Sequence, residues 1–173
     1  MRRQEAGDPA TAPVHPCRAG RGSSPQPSAA QLAEAAALLA DARAPVIFAG
    51  SGVDRAGAND ALLALAERLG CPIVTSMAGR SVAPHGHPLY FHSQSPAADE
   101  LRRRADVLLA VGTRIGNLDV PFDKYWGDPA QCRLVQIDVD PRHIGVSRPV
   151  ALGIVAWVGL PARRRRRRGS ERS

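Results

Sequence analysis

Five short apolar runs recur along the chain, with helix-period segments between the first three: "VIFAG" (46–50), "PIVTS" (72–76), "DVLLAVG" (106–112), "RLVQIDVD" (133–140) and "PVALGIV" (149–155). Apolar runs of this length without strict alternation suit strands covered on both faces, as in a parallel sheet. Strands that alternate with helices assemble into an open sheet with right-handed crossovers. The pattern therefore predicts an α/β fold built on an open, doubly wound parallel sheet. Ligands of such sheets sit beyond the carboxyl ends of the strands. Function is accordingly to be sought in the loops 50–54, 75–80, 112–119 and 138–142.

The segments between the strands carry helix signals. "SAAQ" has the spacing of a capping box, with Ser28 at the N-cap and Gln31 at N3. Leu32, Ala35, Ala36 and Leu39 follow at helical intervals, and Ala44-Pro45 ends the helix because a residue before proline avoids the α region. Residues 58–69 predict a second helix, with Leu62, Leu65, Ala66 and Leu69 on one face and Gly70 as its C′ residue. Ser95-Pro96 reads as N-cap and N1 of a third helix over about 96–105. Residues 77–95 read as a long loop.

Charge separates the middle of the chain from its ends. The net formal charge is +7, yet residues 31–155 hold 12 Lys/Arg against 13 Asp/Glu. The excess lies in four arginines among residues 1–30 and seven among residues 156–173. A near-neutral body argues against a nucleic-acid partner for the folded part. Residues 1–27, rich in Pro, Gly, Ala and Arg, read as disordered. The tail "AWVGLPARRRRRRGSERS" has two readings: an anion-binding arm, or the product of a shifted reading frame. Cys17, Cys71 and Cys132 form no ligand spacing and fit a reducing compartment, hence a cytoplasmic protein. No run of 18 apolar residues is present to span a membrane.

Four motifs bear on chemistry. Gly50-Ser51-Gly52 ends a strand, where glycines let backbone amides approach a phosphate. The full G-x-G-x-x-G fingerprint fails at Arg55, so a plain strand-end turn explains it equally well. The same stretch does not match the G-x-S-x-G elbow of hydrolases, since Ala49 and Val53 replace its glycines. In "VGTRIGN", Gly112 ends a buried strand and Arg114 follows it, placed for a phosphate or for a salt bridge. In "QIDVDP", Asp138 could take ribose hydroxyls. Asp138 and Asp140 are read as separate residues rather than a carboxylate dyad, with Asp140-Pro141 as a turn. His85, His87 and His92 lie in one loop, but Pro84 and Pro88 mark a turn there, and no Cys or acid completes a ligand set.

The series "APVIFAGSGVDRAGANDALLALAERLGCPIVTS", "PHGHPLYF", "RADVLLAVGTRIGN" and "LVQIDVDPRHIG", in this order, resembles the central domain of thiamine diphosphate-dependent enzymes of the acetolactate synthase and benzoylformate decarboxylase type. The resemblance covers about residues 30–155 and implies a Rossmann-like domain of the DHS-like NAD/FAD-binding type. It implies an enzyme that uses thiamine diphosphate and Mg2+ on a 2-oxo acid and works as a homo-oligomer. The catalytic Glu and the GDG…N magnesium motif of that family belong to flanking pyrimidine and diphosphate domains, and nothing here matches them. The expectation is a chain that carries the central domain alone and is inactive by itself. A free-standing nucleotide-binding module with separately encoded partners is the alternative.

In FAD-containing members this domain holds the flavin's ADP part. By motif, that implies cofactor contacts at Gly50, Ser51, Gly52, Thr75, Ser76, Met77, Gly112, Arg114, Asp138 and Val139. Two departures weaken the FAD expectation. "LYFHSQSPAADE" replaces a glycine-rich stretch, and Ile115-Gly116-Asn117 replaces aromatic or acidic residues after the arginine.

Overall fold

The computed structural model describes residues 25–116 and 126–159. Residues 1–24, Asn117 and the Arg163–Arg168 run of the sequence reading lie outside them. Six strands form one all-parallel sheet: β1 (Pro45–Ala49), β2 (Ile73–Thr75), β3 (Tyr90–His92), β4 (Val107–Val111), β5 (Arg133–Asp138) and β6 (Leu152–Val155). Their order across the sheet is β3-β2-β1-β4-β5-β6. The chain winds outward from β1 in one direction, then returns to lay β4 on its other side. The crevice between β1 and β4 is thus the point where the winding reverses, the place where doubly wound sheets take ligands.

The unbroken apolar runs are explained by burial on both faces. Ile47, Ala49, Ile73, Leu109, Val111 and Val135 face one core, covered by α1 (Ala29–Ala40), α2 (Ser51–Arg55) and α3 (Asn59–Leu69) through Ala35, Val53, Leu62 and Ala66. Val46, Phe48, Val74, Leu108, Ala110 and Leu134 face the other, covered by α4 (Pro96–Arg104) through Ala98 and by Trp126, whose ring stands edge-on to Phe48 at 5.6 Å. Burying a side chain such as Phe48 contributes roughly 1.5–3 kcal/mol, so the two layers hold the sheet without many aromatic residues.

The helix signals perform as their chemistry requires. Ser28 Oγ accepts from Gln31 N at 3.1 Å and Gln31 Oε1 accepts from Ser28 N at 3.0 Å, the two halves of the capping box. Gly70, with φ +61°, ends α3 in the left-handed conformation. Ser95 caps α4 and Pro96 opens it.

The structure differs from the sequence reading at five points. The expected loop 77–95 contains β3, a sixth strand. Three half-buried residues between Pro88 and Ser95 show no period of their own, and only pairing with β2 makes them a strand. The stretch after β1 is the short helix α2 rather than a bare turn. α1 stops at Ala40, before the Ala44-Pro45 break. Within α1, Leu32 is 52% exposed and Ala36 also faces solvent, while Ala35 is buried. The expectation that Asp138 and Asp140 stay apart fails as well, because β5 ends at Asp138 and the turn after it sets His143 beside both carboxylates.

The link from α1 to β1 is fastened by one carboxylate. Asp106 accepts from Arg43 N at 2.7 Å and Ala44 N at 3.0 Å. Its partial desolvation opposes ionisation, but backbone amides outweigh that and hold its carboxyl below the usual range. A depressed folded-state value stabilises the fold above the unfolded pKa of about 3.9 and is lost as pH falls through the folded value. Asp106→Asn should therefore lower the urea midpoint at pH 7, and the gap from wild type should close on acidification toward pH 3. A gap that stays constant with pH would show that the carboxylate's charge is not what matters.

Candidate functional site

Gly50, Ser51, Gly52, Thr75, Ser76, Met77, Gly112, Arg114, Asp138 and Val139 all lie at or just beyond the carboxyl ends of the adjacent strands β2, β1, β4 and β5. The topology therefore brings them to one edge, as the strand pattern implied. The contacts these loops make among the described residues are with one another.

At the reversal point, backbone meets backbone. Gly50 N donates to Val111 O at 2.9 Å, Gly52 N to Gly112 O at 3.0 Å, and Gly112 N to Ile137 O at 2.9 Å. A Cβ on Gly50 would stand 2.3 Å from Gly112 O, and one on Gly52 would stand 2.7 Å from Gly112 Cα. Gly112, at φ +61°, would bring its own Cβ to 2.7 Å from Val53 N. Gly79 closes the other side, where a Cβ would lie 2.4 Å from Ala49 O. Ser76 N donates to that same Ala49 oxygen at 2.8 Å. The glycines make room for neighbouring loops of this chain, and their amides are satisfied within it.

The loops after β4 and β5 are tied together by Gln136, which is 1% exposed. Its Nε2 donates to Thr113 O at 3.1 Å and His143 O at 2.9 Å, and its Oε1 accepts from Gly145 N at 2.9 Å. Ser147 Oγ donates to Ile115 O at 2.6 Å and Arg114 O at 3.3 Å. These bonds hold Ile115 at φ +55°, a costly conformation for a β-branched residue, with its side chain in the core. Arg114 is left on the surface beside it.

Asp138 is 6% exposed, and its Oδ1 accepts from Asp140 N at 2.9 Å and lies 3.1 Å from His143 Nδ1. His143 Nε2 is 3.9 Å from Asp140 Oδ2, so one imidazole adjoins both carboxylates. Arg142 binds the Asp140 carboxylate through side-chain and backbone donors and holds its pKa far below the usual range. Asp140-Pro141 opens a short 3-10 turn, as a turn reading of that dipeptide expects. Thr75 is fully buried and its hydroxyl has no protein partner. Met77 Sδ lies 3.7 Å from the Arg80 guanidinium, and Val139 is 47% exposed.

Gln136, His143 and Ser147 were not legible as functional candidates. Gln136 alone left a trace, as a polar residue inside an apolar strand. The loop histidines are engaged locally. His87 Nε2 sits 3.2 Å from Glu67 Oε1, His92 Nδ1 accepts from Gln94 N, and the His85 ring packs edge-on to Tyr90. Among the described residues no group of three or more His, Cys, Asp or Glu could hold a metal ion. Cys71 and Cys132 are free thiols, and burial pushes the Cys71 thiol up to about 11, which keeps it protonated and inert. A cleft of about 450 Å³ lies beside Trp126, whose ring is flanked by Arg102 and Arg148. No helix among the described residues is long and apolar enough to cross a membrane.

Comparison with known proteins gives these loops a family context. The family model "Thiamine pyrophosphate enzyme, central domain" matches residues 32–163. A sulfoacetaldehyde acetyltransferase of Rhodobacter capsulatus is 41% identical over 150 residues, covering 80% of this chain and 24% of the relative. An acetolactate synthase large subunit described for Methanocaldococcus jannaschii is 36% identical over 120 residues, covering 66% of this chain and 20% of the relative. A solved structure from Mycobacterium smegmatis, described as a thiamin diphosphate-dependent enzyme, superposes with a TM-score of 0.64 at 33% identity, covering 77% of this chain and 26% of that one. The chain thus spans about a quarter of the length of the relatives it matches.

Proposed function

Because the chain belongs to the family of thiamine pyrophosphate enzyme central domains, we propose that it is the non-catalytic central scaffold of a thiamine diphosphate-dependent enzyme acting on a 2-oxo acid. The observation that carries this reading is the carboxyl edge of the sheet, where Gly50, Gly52 and Gly112 spend their amides on the chain itself. An edge so occupied positions neighbouring domains and offers no reacting group. Thiamine diphosphate would supply the nucleophilic carbon and the electron sink that decarboxylating a 2-oxo acid requires. The described residues do not fit that cofactor or Mg2+: they hold no acidic cluster for the metal, and the loop glycines are filled. In this reading the cofactor site is built by flanking domains, in the same or in separate chains.

The similarity to sulfoacetaldehyde acetyltransferases, at 35–42% identity in four of them, supports an acyl-transfer enzyme as the whole protein. A homo-oligomer in the cytoplasm is part of the same reading; the free thiols of Cys71 and Cys132 suit a reducing compartment. A free-standing nucleotide-binding module has less support, since the same satisfied amides count against it.

The test is direct. The purified chain, given thiamine diphosphate, Mg2+ and pyruvate, should release no CO2 above background. Adding the pyrimidine and diphosphate domains of a close relative, expressed separately, should restore activity if the scaffold role is right. Turnover by the chain alone would overturn the proposal.

A further inference from the structure

We infer that the crevice between β1 and β4 is closed by the chain's own backbone, so that this edge takes no FAD. The family resemblance attaches the flavin's ADP part to this edge, where the glycine amides and the Asp138 carboxylate already have partners within the chain. The amides of Gly50, Gly52 and Gly112 donate to Val111 O, Gly112 O and Ile137 O. The space that their missing side chains leave is taken by protein: the nearest atoms to an added Cβ are backbone atoms of the facing loop, at 2.3–2.7 Å. A glycine that serves a phosphate leaves its open side toward the ligand. Here the open side is toward Gly112 and Val53.

The ribose end is occupied in the same way. Asp138 Oδ1 holds Asp140 N and adjoins His143 Nδ1, and the backbone of His143 is itself anchored by Gln136. Thr75, the second strand's contribution, is fully buried, so its hydroxyl is out of reach of a ligand in solvent. Of the ten candidate positions, Arg114 and Val139 are exposed, and Ser51, Gly52, Met77 and Gly112 are half-buried. One exposed arginine beside an apolar residue gives a diphosphate charge but no cradle.

This inference is separate from the scaffold role, which is read by turnover, whereas closure is read by flavin binding. The full chain is titrated with FAD and with ADP by calorimetry, and its thermal unfolding is followed with and without FAD. No saturable heat is expected up to about 1 mM ligand, and the unfolding midpoint should not move, since a ligand that binds only the native state would raise it. Arg114→Ala and Asp138→Asn are run beside the wild type. Saturable FAD binding that either substitution weakens tenfold or more overturns the inference. Absence of binding, or binding indifferent to both substitutions, supports it, because in the second case the flavin sits elsewhere. Arg114 is a surface residue, so its variant keeps the test usable even if the Asp138 variant does not fold.

Discussion

Gly112→Ala should cost about 3 kcal/mol or more, where Gly57→Ala costs about 1–2 kcal/mol. The two glycines share a left-handed backbone, at φ +61° and +63°. The conformational penalty is thus common to both. Their surroundings differ: a Cβ on Gly57 meets nothing within 4 Å, whereas one on Gly112 meets Val53 N and the Gly52 backbone at 2.7–2.8 Å. The clashing atoms belong to α2, so relief requires moving that helix off the sheet. The difference is a large part of a domain stability of roughly 5–15 kcal/mol. With urea m-values of about 1–3 kcal/mol/M, the two midpoints should differ by something on the order of 1 M. Equal losses at the two sites would show that the crevice is loose, and the closure argued above would fall with it.

Gln136→Leu should cost about 2–4 kcal/mol. Leucine fills much the same volume but strands three partners at once: Thr113 O, His143 O and Gly145 N. Gly145 is exposed and water can replace its bond. The Thr113 carbonyl bond is buried and has no such remedy. Ser147→Ala is the matched comparison, since its hydroxyl reaches the same loop from a more exposed position. It should cost about 1 kcal/mol, a single net hydrogen bond. Urea unfolding of both variants reads the difference. If the leucine variant is as stable as wild type, Gln136 does not join the two loops, and the left-handed Ile115 is held by Ser147, by the Thr113 hydroxyl on its own amide and by core packing.

How much was readable beforehand depends on the kind of cause. Local causes were readable. "SAAQ" specifies a capping box through contacts three residues apart, Gly70 ends a helix by its own φ, and the apolar runs around Ile47 and Leu109 declare two-sided burial. Causes that lie between distant segments were not. β3 exists because Tyr90, Phe91 and His92 pair with Ile73, Val74 and Thr75, and three residues leave no periodic trace. The sequence reading kept Asp138 and Asp140 apart. His143, set beside both by the 3-10 turn, lies in the quoted series "LVQIDVDPRHIG" but carried no role there.

The sequence by itself determined the class of fold, five of its six strands, and the edge where all ten candidate residues gather. Alternating strands and helices admit few other arrangements, and parallel strands put their loops on one side. Only the tertiary structure decided what the glycines at that edge are for. A glycine's missing side chain looks the same in the sequence whether a phosphate or another loop fills the gap. Here Gly112 fills it for Gly50 and Gly52, because the reversal of winding between β1 and β4 presses those two loops together.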